Sequence, residues 1–328
     1  MFRVGLNPYG LTCTVGLQAL GTPRANPAGV GLRGFIDIAR AIGARCIELD
    51  GRWLADMTAA DLAGLGRELA GETVICSYWL SHQAGETLAE PMRRAGLIGS
   101  RLLRLHLTPV LEGARAAWGG QWAVMLAHAR QTLIREASRG RDAGLDLAIE
   151  DHQDLGSEEL VALAEAAGEN VGVVFDTGNP FSVGEDPSAF ARRAAHRVRH
   201  VHLKDYVAQW TTEGYRLVRC ALGDGCVPFA EIATILDGRD PPLTASIEPG
   251  ALESRHIRLF TPGWWEGYGP RDGRELGVAL GRLRQRALAE DDDCRTPWER
   301  GAAHQELVAY EAAQLERSVA NLRAMGWM

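Results

Sequence analysis

The fold is decided by one short stretch, Arg199-His200-Val201-His202-Leu203-Lys204-Asp205. Its polar and apolar residues alternate with a period of two, which predicts a β-strand. In such a strand His200, His202 and Lys204 share one face, and the apolar residues occupy the other. The stretch therefore predicts a buried strand with ionisable groups along one side.

Three other apolar runs also end in ionisable side chains: LAIEDH at 147–152, VVFDTGN at 173–179 and ASIEPG at 245–250. In all, eight strand patterns are predicted, at 2–7, 45–50, 73–79, 102–107, 145–150, 171–176, 198–204 and 243–248. Helical patterns separate them, at 31–42, 58–70, 86–99, 121–143, 157–167, 187–196 and 228–237. Because each parallel crossover needs a covering helix, this alternation predicts an α/β fold, a (β/α)8 TIM barrel.

Two segments interrupt the alternation. Residues 206–222 carry a second alternating pattern and are predicted to form a hairpin inserted above the carboxyl face of the barrel. Residues 251–275 are rich in aromatic residues, glycine and proline, and are predicted to form a lid or an interface. Further helices are predicted at 274–289 and 300–325. We therefore predict a barrel over 1–250, with a lid segment and helical extension over 251–328 packed on it.

Composition limits the class of protein. The chain has 328 residues, is 46% hydrophobic and carries a formal net charge of -7, which argues against a nucleic-acid partner. Its six cysteines show no CxxC pair, so we expect reduced thiols. No apolar run approaches the roughly 20 residues of a membrane span, and the first residues show no signal sequence. These features predict a cytoplasmic protein without a membrane partner.

The strand ends predict a metal site. In a β/α barrel the side chains at the carboxyl ends of the strands converge on one pocket. Glu150, Asp176, His202 and Glu248 end the last four predicted strands, and three bare carboxylates together would repel one another. A divalent cation removes that repulsion. A set of mostly oxygen ligands favours Mn²⁺, with Mg²⁺ and Co²⁺ as alternatives.

The four strand endings AIEDH, FDTGNP, HVHLKD and SIEPG, together with LGDG at 222–225, resemble those of the xylose-isomerase-like barrels, the sugar phosphate isomerase/epimerase superfamily. The resemblance covers roughly residues 1–250. It implies that Glu150, Asp176, His202 and Glu248 bind the metal. It also implies that Glu150 and Glu248 act as proton acceptor and donor on a carbohydrate or keto sugar, through an enediolate. The expected activity is that of a metal-dependent isomerase or epimerase.

Other polar residues are candidates for the same pocket. His152 lies two residues after Glu150 and is predicted to act as a base or hydroxyl ligand, or as a hydrogen-bond partner of a ligand. His200 is predicted to be a buried histidine with satisfied hydrogen bonds. An inward arginine on the fourth strand would suit a phosphate or carboxylate substituent. The predicted substrate contacts are Glu48, Arg104, His106, Asn179 and Lys204, with an ion pair as the alternative for Glu48 and charge balance for Lys204.

Competing functions keep the barrel and change its chemistry. A lyase would remove a proton from a 3-keto sugar and eliminate a group, as do C-glycoside-cleaving subunits and keto-inositol dehydratases of the same superfamily. An endonuclease acting at abasic sites would need a basic groove and more histidines than this chain has. A barrel without catalytic activity could serve as a partner subunit. We also expect assembly as a homo-oligomer or with a partner subunit.

Overall fold

The computed structural model describes residues 2–83 and 85–328, and at its centre eight parallel strands close into a barrel. The strands of the described chain are β1 Arg3–Leu6, β2 Cys46–Asp50, β3 Thr73–Trp79, β4 Leu102–His106, β5 Asp146–Glu150, β6 Val171–Asp176, β7 Val198–Leu203, β8 Asp205–Thr211, β9 Gly214–Cys220, β10 Thr244–Ile247 and β11 Arg255–Ile257. The spatial order around the barrel is β1, β10, β7, β6, β5, β4, β3, β2. The predicted TIM barrel and its eight strands are confirmed.

Helices lie between the barrel strands and continue after the last of them. They are α1 Gly31–Ala41, α2 Gly51–Leu54, α3 Ala59–Glu68, α4 Ala89–Ile98, α5 Gly120–Asp142, α6 Ser157–Ala167, α7 Pro187–Ala194, α8 Phe229–Leu236, α9 Gly273–Gln285 and α10 His304–Ala324. Local sequence sets their ends. At the start of α7, Asp186 is the N-cap: its carboxylate accepts the backbone N–H of Ala189 at 3.0 Å, and Pro187 is the first helical residue.

Strand register places the ionisable groups at one level. Asp176 on β6 pairs with His202 on β7, and Ser246 on β10 pairs with the same histidine from the other side. The opposite sides of these strands are lined by buried valine, leucine and isoleucine, which pack under the helices. Because all barrel strands are parallel, their polar carboxyl ends meet at one mouth.

A small antiparallel sheet lies above this mouth. β8 and β9 form the predicted hairpin, and β11 adds to the outer edge of β9, giving the order β11, β9, β8. The Tyr215 hydroxyl donates to the backbone oxygen of Phe181 at 2.6 Å, which fixes the hairpin to the turn that follows β6. The strand β11 was not predicted from the sequence, because three residues are too short for a clear alternating pattern.

The aromatic segment after β10 packs across the barrel loops. The Trp264 indole donates to the backbone oxygen of Glu112 at 2.8 Å, and the Tyr268 hydroxyl donates to that of Gly113 at 2.9 Å. Beyond it, α10 returns to the start of the barrel, where the Glu311 carboxylate accepts the backbone N–H groups of Cys13 and Thr14. The six cysteines are free thiols. Among the described residues, no helix has the length and apolar character needed to cross a membrane.

Candidate metal centre and active site

The four residues predicted to bind a metal come together at the barrel mouth. One ligand atom from each of Glu150, Asp176, His202 and Glu248 lies within 4.8 Å of the others. Glu150 and Asp176 are the last residues of β5 and β6, His202 is the penultimate residue of β7, and Glu248 directly follows β10. The side chains are almost fully buried. This geometry can hold one cation within a shell of carboxylate oxygens and one imidazole nitrogen.

His202 divides its two ring nitrogens between two sets of carboxylates. Its Nδ1 lies 3.0 Å from Oε1 of Glu150 and 3.0 Å from Oε2 of Glu248, whereas its Nε2 lies 2.9 Å from Oε2 of Glu48. Burial alone would lower the pKa of His202, but the three surrounding glutamates outweigh it and raise the pKa well above the usual value. The Nδ1 side of the ring therefore faces the metal cluster, and the Nε2 side is held from beneath.

Glu48 lies beneath His202 and is fully buried. Its carboxylate accepts the Asn7 amide at 3.0 Å and the Ser77 hydroxyl. Burial would raise its pKa, but His202, His200 and other neighbours lower it well below the usual range, so Glu48 is an anion. The predicted substrate contact through Glu48 stays a prediction. Its contacts favour a different role, which is to orient His202. Histidines that bind metals commonly donate the N–H of their second ring nitrogen to a carboxylate.

Two buried cations pair with the metal cluster. Arg104 forms an ion pair with Glu150, and Lys204 pairs with Asp176 and, at 2.8 Å, with Glu248. Burial would raise the pKa of Glu248, but Lys204 and His202 lower it to about 2. Burial and the carboxylates of Glu248 and Glu150 raise the pKa of Asp176, although Lys204 opposes them.

The charges of this cluster fit a divalent cation. Among the described residues, four carboxylates come together and two permanently charged side chains pair with them. Charges removed from water need close partners, so two negative charges are left to balance when His202 is a neutral metal ligand. The four carboxylates are Glu48, Glu150, Asp176 and Glu248. The donor set therefore agrees in charge and in ligand type with the predicted Mn²⁺, Mg²⁺ or Co²⁺.

Aromatic rings line the mouth at the ends of β3, β4 and β5. The ring of His106 lies 3.7 Å, between centroids, from that of Trp79 and 3.7 Å from that of His152. Burial lowers the pKa of His106 to about 3, and burial together with His106 lowers the pKa of His152 well below its usual value. Both rings are therefore neutral. Both nitrogens of His106 and Nδ1 of His152 lack a hydrogen-bond partner among the described residues, as expected of groups that meet a substrate.

The remaining predicted residues take structural contacts. Asn179 donates its side-chain amide to the backbone oxygen of Asp151 at 2.8 Å and so joins the turns after β5 and β6. The two ring nitrogens of His200 lie 2.7 Å from the Thr244 hydroxyl and 3.0 Å from the Ser246 hydroxyl. His200 is thus buried and satisfied, as predicted. Together with Glu48 and His202 it forms a second group close enough to hold a metal, but its hydroxyl partners already occupy both nitrogens.

Several residues of the site were not predicted. Asn7 follows β1 and contacts both Glu48 and the Nε2 of His202, at 3.0 and 3.2 Å. Ser77 lies on β3 two residues before Trp79, so period-two alternation places the two on one face and could have identified it. Tyr9 donates its hydroxyl to Asp50 at 2.8 Å. Asn7 caps a 3₁₀ helix over Pro8–Leu11 that includes Tyr9, and four residues are too few for a clear periodic pattern.

Comparison with known proteins identifies the family of this chain. Residues 36–256 match the sequence model of the xylose isomerase-like TIM barrel family. The chain belongs to this family. Inosose dehydratase from Clostridium beijerinckii is 31% identical over 145 residues, which cover 40% of this chain and 47% of that protein. The chain spans less than half the length of the curated relatives it matches.

Solved structures share the fold of this family member at low sequence identity. The probable 3-DHS dehydratase AsbF from Bacillus anthracis superposes with a TM-score of 0.55 at 14% identity, over 87% of this chain and 99% of that one. L-ribulose 3-epimerase superposes with a TM-score of 0.54 at 16% identity, over 87% and 96%. Both names are those of enzymes, one a dehydratase and the other an epimerase. At these identities the likeness shows the fold alone.

Proposed function

We propose that this protein is a divalent-metal-dependent isomerase or epimerase of a keto sugar. The observation that carries the proposal is the convergence of Glu150, Asp176, His202 and Glu248 at one buried point of the barrel mouth. Mn²⁺ is the proposed ion because the donor set, three carboxylates and one imidazole, is rich in oxygen. Sulfur-rich donor sets favour other metals. When bound, the cation would stabilise the negative charge that develops on the carbonyl oxygen of the substrate.

Glu150 and Glu248 are the proposed proton-transfer groups. Glu150 Oε1 and Glu248 Oε2 each lie 3.0 Å from the same ring nitrogen of His202, so the two carboxylates border the same point. One carboxylate removes a proton from the carbon beside the carbonyl and becomes a carboxylic acid, while the other, protonated beforehand from solvent, delivers its proton to the opposite face of the resulting enediolate. Arg104 holds Glu150 from one side and Lys204 holds Glu248 from the other, which limits how far either carboxylate can turn.

The aromatic wall is the proposed contact for the rest of the substrate. His106 and His152 are neutral and have free ring nitrogens that can donate to or accept from sugar hydroxyls. The Trp79 side chain is 46% exposed, so its ring offers an apolar surface to the carbon face of a sugar. His152 stays a proposed base or hydroxyl ligand, since its neutral ring has a free Nδ1.

Solvent exchange tests the proposed proton transfer. Protein loaded with Mn²⁺ is incubated in D₂O with free ketoses, and proton NMR follows the hydrogen on the carbon beside the carbonyl. We expect deuterium at that carbon together with the epimeric or isomeric sugar, and neither in protein stripped of metal. Absence of exchange with every ketose, whether neutral or carrying a carboxylate or phosphate, in protein shown by calorimetry to bind Mn²⁺, would contradict the isomerase and epimerase assignment.

A second candidate function is a metal-dependent lyase on a 3-keto sugar or keto-inositol. It is favoured by one observation, that the curated relatives of named activity include inosose dehydratases from three clostridial strains. The same carboxylate would remove the proton beside the carbonyl, and the intermediate would then expel a hydroxyl or an aglycone from the next carbon. Incubation with inososes and 3-keto-glycosides separates the two: loss of water or of the aglycone identifies the lyase, and turnover of free ketoses alone excludes it.

A further inference from the structure

The sheet above the barrel mouth carries two arginines and a tyrosine on one face. Tyr206 on β8 is paired directly with Arg219 on β9. Arg255 on β11 is paired with Leu217 of β9, which makes it a diagonal neighbour of Arg219. Since side chains on adjacent strands alternate together, Tyr206, Arg219 and Arg255 lie on the same face of the sheet. We refer to these three residues as the hairpin cluster.

The hairpin cluster borders the metal centre. A side-chain carbon added to Gly178, in the turn after β6, would lie 2.6 Å from Cε2 of Tyr206, so the tyrosine ring packs directly on that turn. Gly250, in the turn after β10, has a φ of +79°, and a side-chain carbon there would lie 3.7 Å from Cδ of Arg219. These are the turns that leave the strands bearing two of the four proposed ligands. The hairpin cluster therefore faces the same pocket from above.

Each member of the hairpin cluster has a buried polar atom without a partner. Nη1 of Arg219, Nε of Arg255 and the hydroxyl oxygen of Tyr206 find no hydrogen-bond partner among the residues that the structure describes. The three residues are only 9%, 8% and 0% exposed. Arg255 pairs with the half-exposed Glu253 at 3.3 Å, whereas Arg219 forms no ion pair within the described chain. Buried donors of this kind are costly unless an acceptor meets them, so the cluster lacks an acceptor.

Charge indicates what kind of acceptor is missing. The four buried carboxylates of the metal centre are already matched by two side-chain cations and the proposed divalent metal ion. The guanidinium of Arg219 is additional to that balance, and Arg255 has only a solvent-facing partner. An oxyanion offers the planar or tetrahedral oxygen pair that guanidinium groups bind best. Arg104 also has two guanidinium nitrogens without a partner among the described residues, but its ion pair with Glu150 is fully buried and counts toward the balance of the metal centre.

We propose that the hairpin cluster binds an anionic substituent, a carboxylate or a phosphate, on the keto sugar whose carbonyl lies at the metal centre. This inference rests on the proposed function, because the metal centre fixes the carbonyl end of the substrate. Arg219 and Arg255 bind the oxyanion through their free N–H groups, and the Tyr206 hydroxyl donates a further hydrogen bond. The substrate class is thus a sugar acid or a sugar phosphate rather than a neutral ketose.

Three ketoses that differ only at carbon 6 test the proposal. D-fructose carries a hydroxyl there, D-fructuronate a carboxylate and D-fructose 6-phosphate a phosphate. Their binding to Mn²⁺-loaded protein is measured by calorimetry. We expect one or both anionic ketoses to bind about 10- to 100-fold more tightly than fructose, the range given by one or two charge-assisted hydrogen bonds. A preference for fructuronate identifies a carboxylate, and a preference for the phosphate ester identifies a phosphate.

Matched variants connect that preference to the hairpin cluster. Arg219→Gln should lower the affinity for the anionic ketoses to that for fructose, and Arg255→Gln provides a second variant if the first does not fold. Arg216→Gln is the control, because Arg216 lies on the same strand, β9, with its side chain on the opposite face. Circular dichroism and thermal unfolding check that each variant is folded.

The outcomes separate this inference from the proposed function. Three results would each overturn the anion site. They are equal binding of the three ketoses, a preference that persists in Arg219→Gln and Arg255→Gln, and no binding of either anionic ketose. If fructose is epimerised without any preference, the anion site is overturned while the epimerase assignment stands. If the anionic ketoses bind through Arg219 but are neither epimerised nor isomerised, the site is supported and the epimerase assignment fails.

Discussion

At the ends of β5, β6, β7 and β10 the barrel mouth carries carboxylates and the cations that pair with them, whereas at the ends of β3 and β4 it carries uncharged rings. We call these the charged half and the neutral half. Each contains a buried histidine on a barrel strand, His202 in the charged half and His106 in the neutral half. Burial acts alike on both, so any difference between them comes from their neighbours.

The pKa values of the two histidines are shifted in opposite directions. Three glutamates raise the pKa of His202 far above its usual value, while burial lowers the pKa of His106 to about 3. The same side chain is thus an oriented partner of carboxylates in one half and a neutral hydrogen-bonding ring in the other. The comparison indicates a division of labour, in which metal binding and proton transfer belong to the charged half and substrate contact to the neutral half.

The largest expected effect is that of His202→Ala. Removing the single nitrogen ligand leaves three carboxylates facing one another, so we expect Mn²⁺ affinity to fall by more than about 100-fold, the upper end of what losing an outer-shell partner costs. Activity should fall below detection while the barrel stays folded by circular dichroism. Calorimetry with Mn²⁺ measures the change, with His106→Phe as the neutral-half control. An active, metal-loaded His202→Ala protein would show that the assignment is wrong.

A smaller effect is expected for Glu248→Gln, which keeps the size and an oxygen ligand but removes the proton acceptor. At saturating Mn²⁺ we expect hydrogen exchange beside the carbonyl to slow by about 10²- to 10⁴-fold, the usual contribution of a general acid or base. Proton NMR in D₂O measures the rate. Asp176→Asn is the matched control, since Asp176 is a proposed ligand without a part in proton transfer. Equal slowing in both variants would mean that metal loss alone explains the result.

Glu48→Gln tests whether the contact beneath His202 orients the metal ligand. A glutamine can turn its amide toward Nε2 and no longer fixes the ring through a charge, so we expect Mn²⁺ affinity to fall about 10- to 100-fold. Ser77→Ala is the control, because it removes a hydroxyl that donates to Glu48 and leaves the Glu48 contact with His202 intact. If Glu48→Gln left the Mn²⁺ affinity unchanged and reduced the substrate affinity, Glu48 would be a substrate contact, as the sequence predicts, and would not orient the metal ligand.

The case of Glu48 shows how far the sequence leads. Period-two alternation correctly predicts the strands and places ionisable groups at their ends, and closure of the barrel brings those ends together without any further information. The depth at which a side chain lies in the barrel, in contrast, is not predicted by this alternation. Glu48 lies two residues before the end of β2, and its position beneath His202 depends on the stagger between strands that are not neighbours. A pattern within one strand carries no information about that stagger.

The hairpin cluster shows a second limit. The sequence predicts the hairpin and the alternation that separates Arg216 from Arg219, but it does not say which face turns toward the barrel. That choice is fixed by β11, a three-residue strand, and by the contact of Tyr215 with the turn after β6. Both are long-range contacts between segments that are irregular in sequence. The sequence alone is therefore equally consistent with Arg219 as an exposed residue on the outer face of the hairpin.

The smallest expected effect is that of His106→Phe, which keeps a ring against Trp79 and removes both nitrogens. Loss of one neutral hydrogen bond to a sugar hydroxyl should raise KM by about 2- to 10-fold, from the usual net value of such a bond. Steady-state kinetics measures KM and kcat, and calorimetry measures Mn²⁺ affinity, which we expect to stay unchanged. His106→Gln, which restores a polar side chain, should recover part of the loss. If His106→Phe instead weakened Mn²⁺ binding as strongly as Glu48→Gln, His106 would belong with the metal centre and the boundary between the halves would be misplaced.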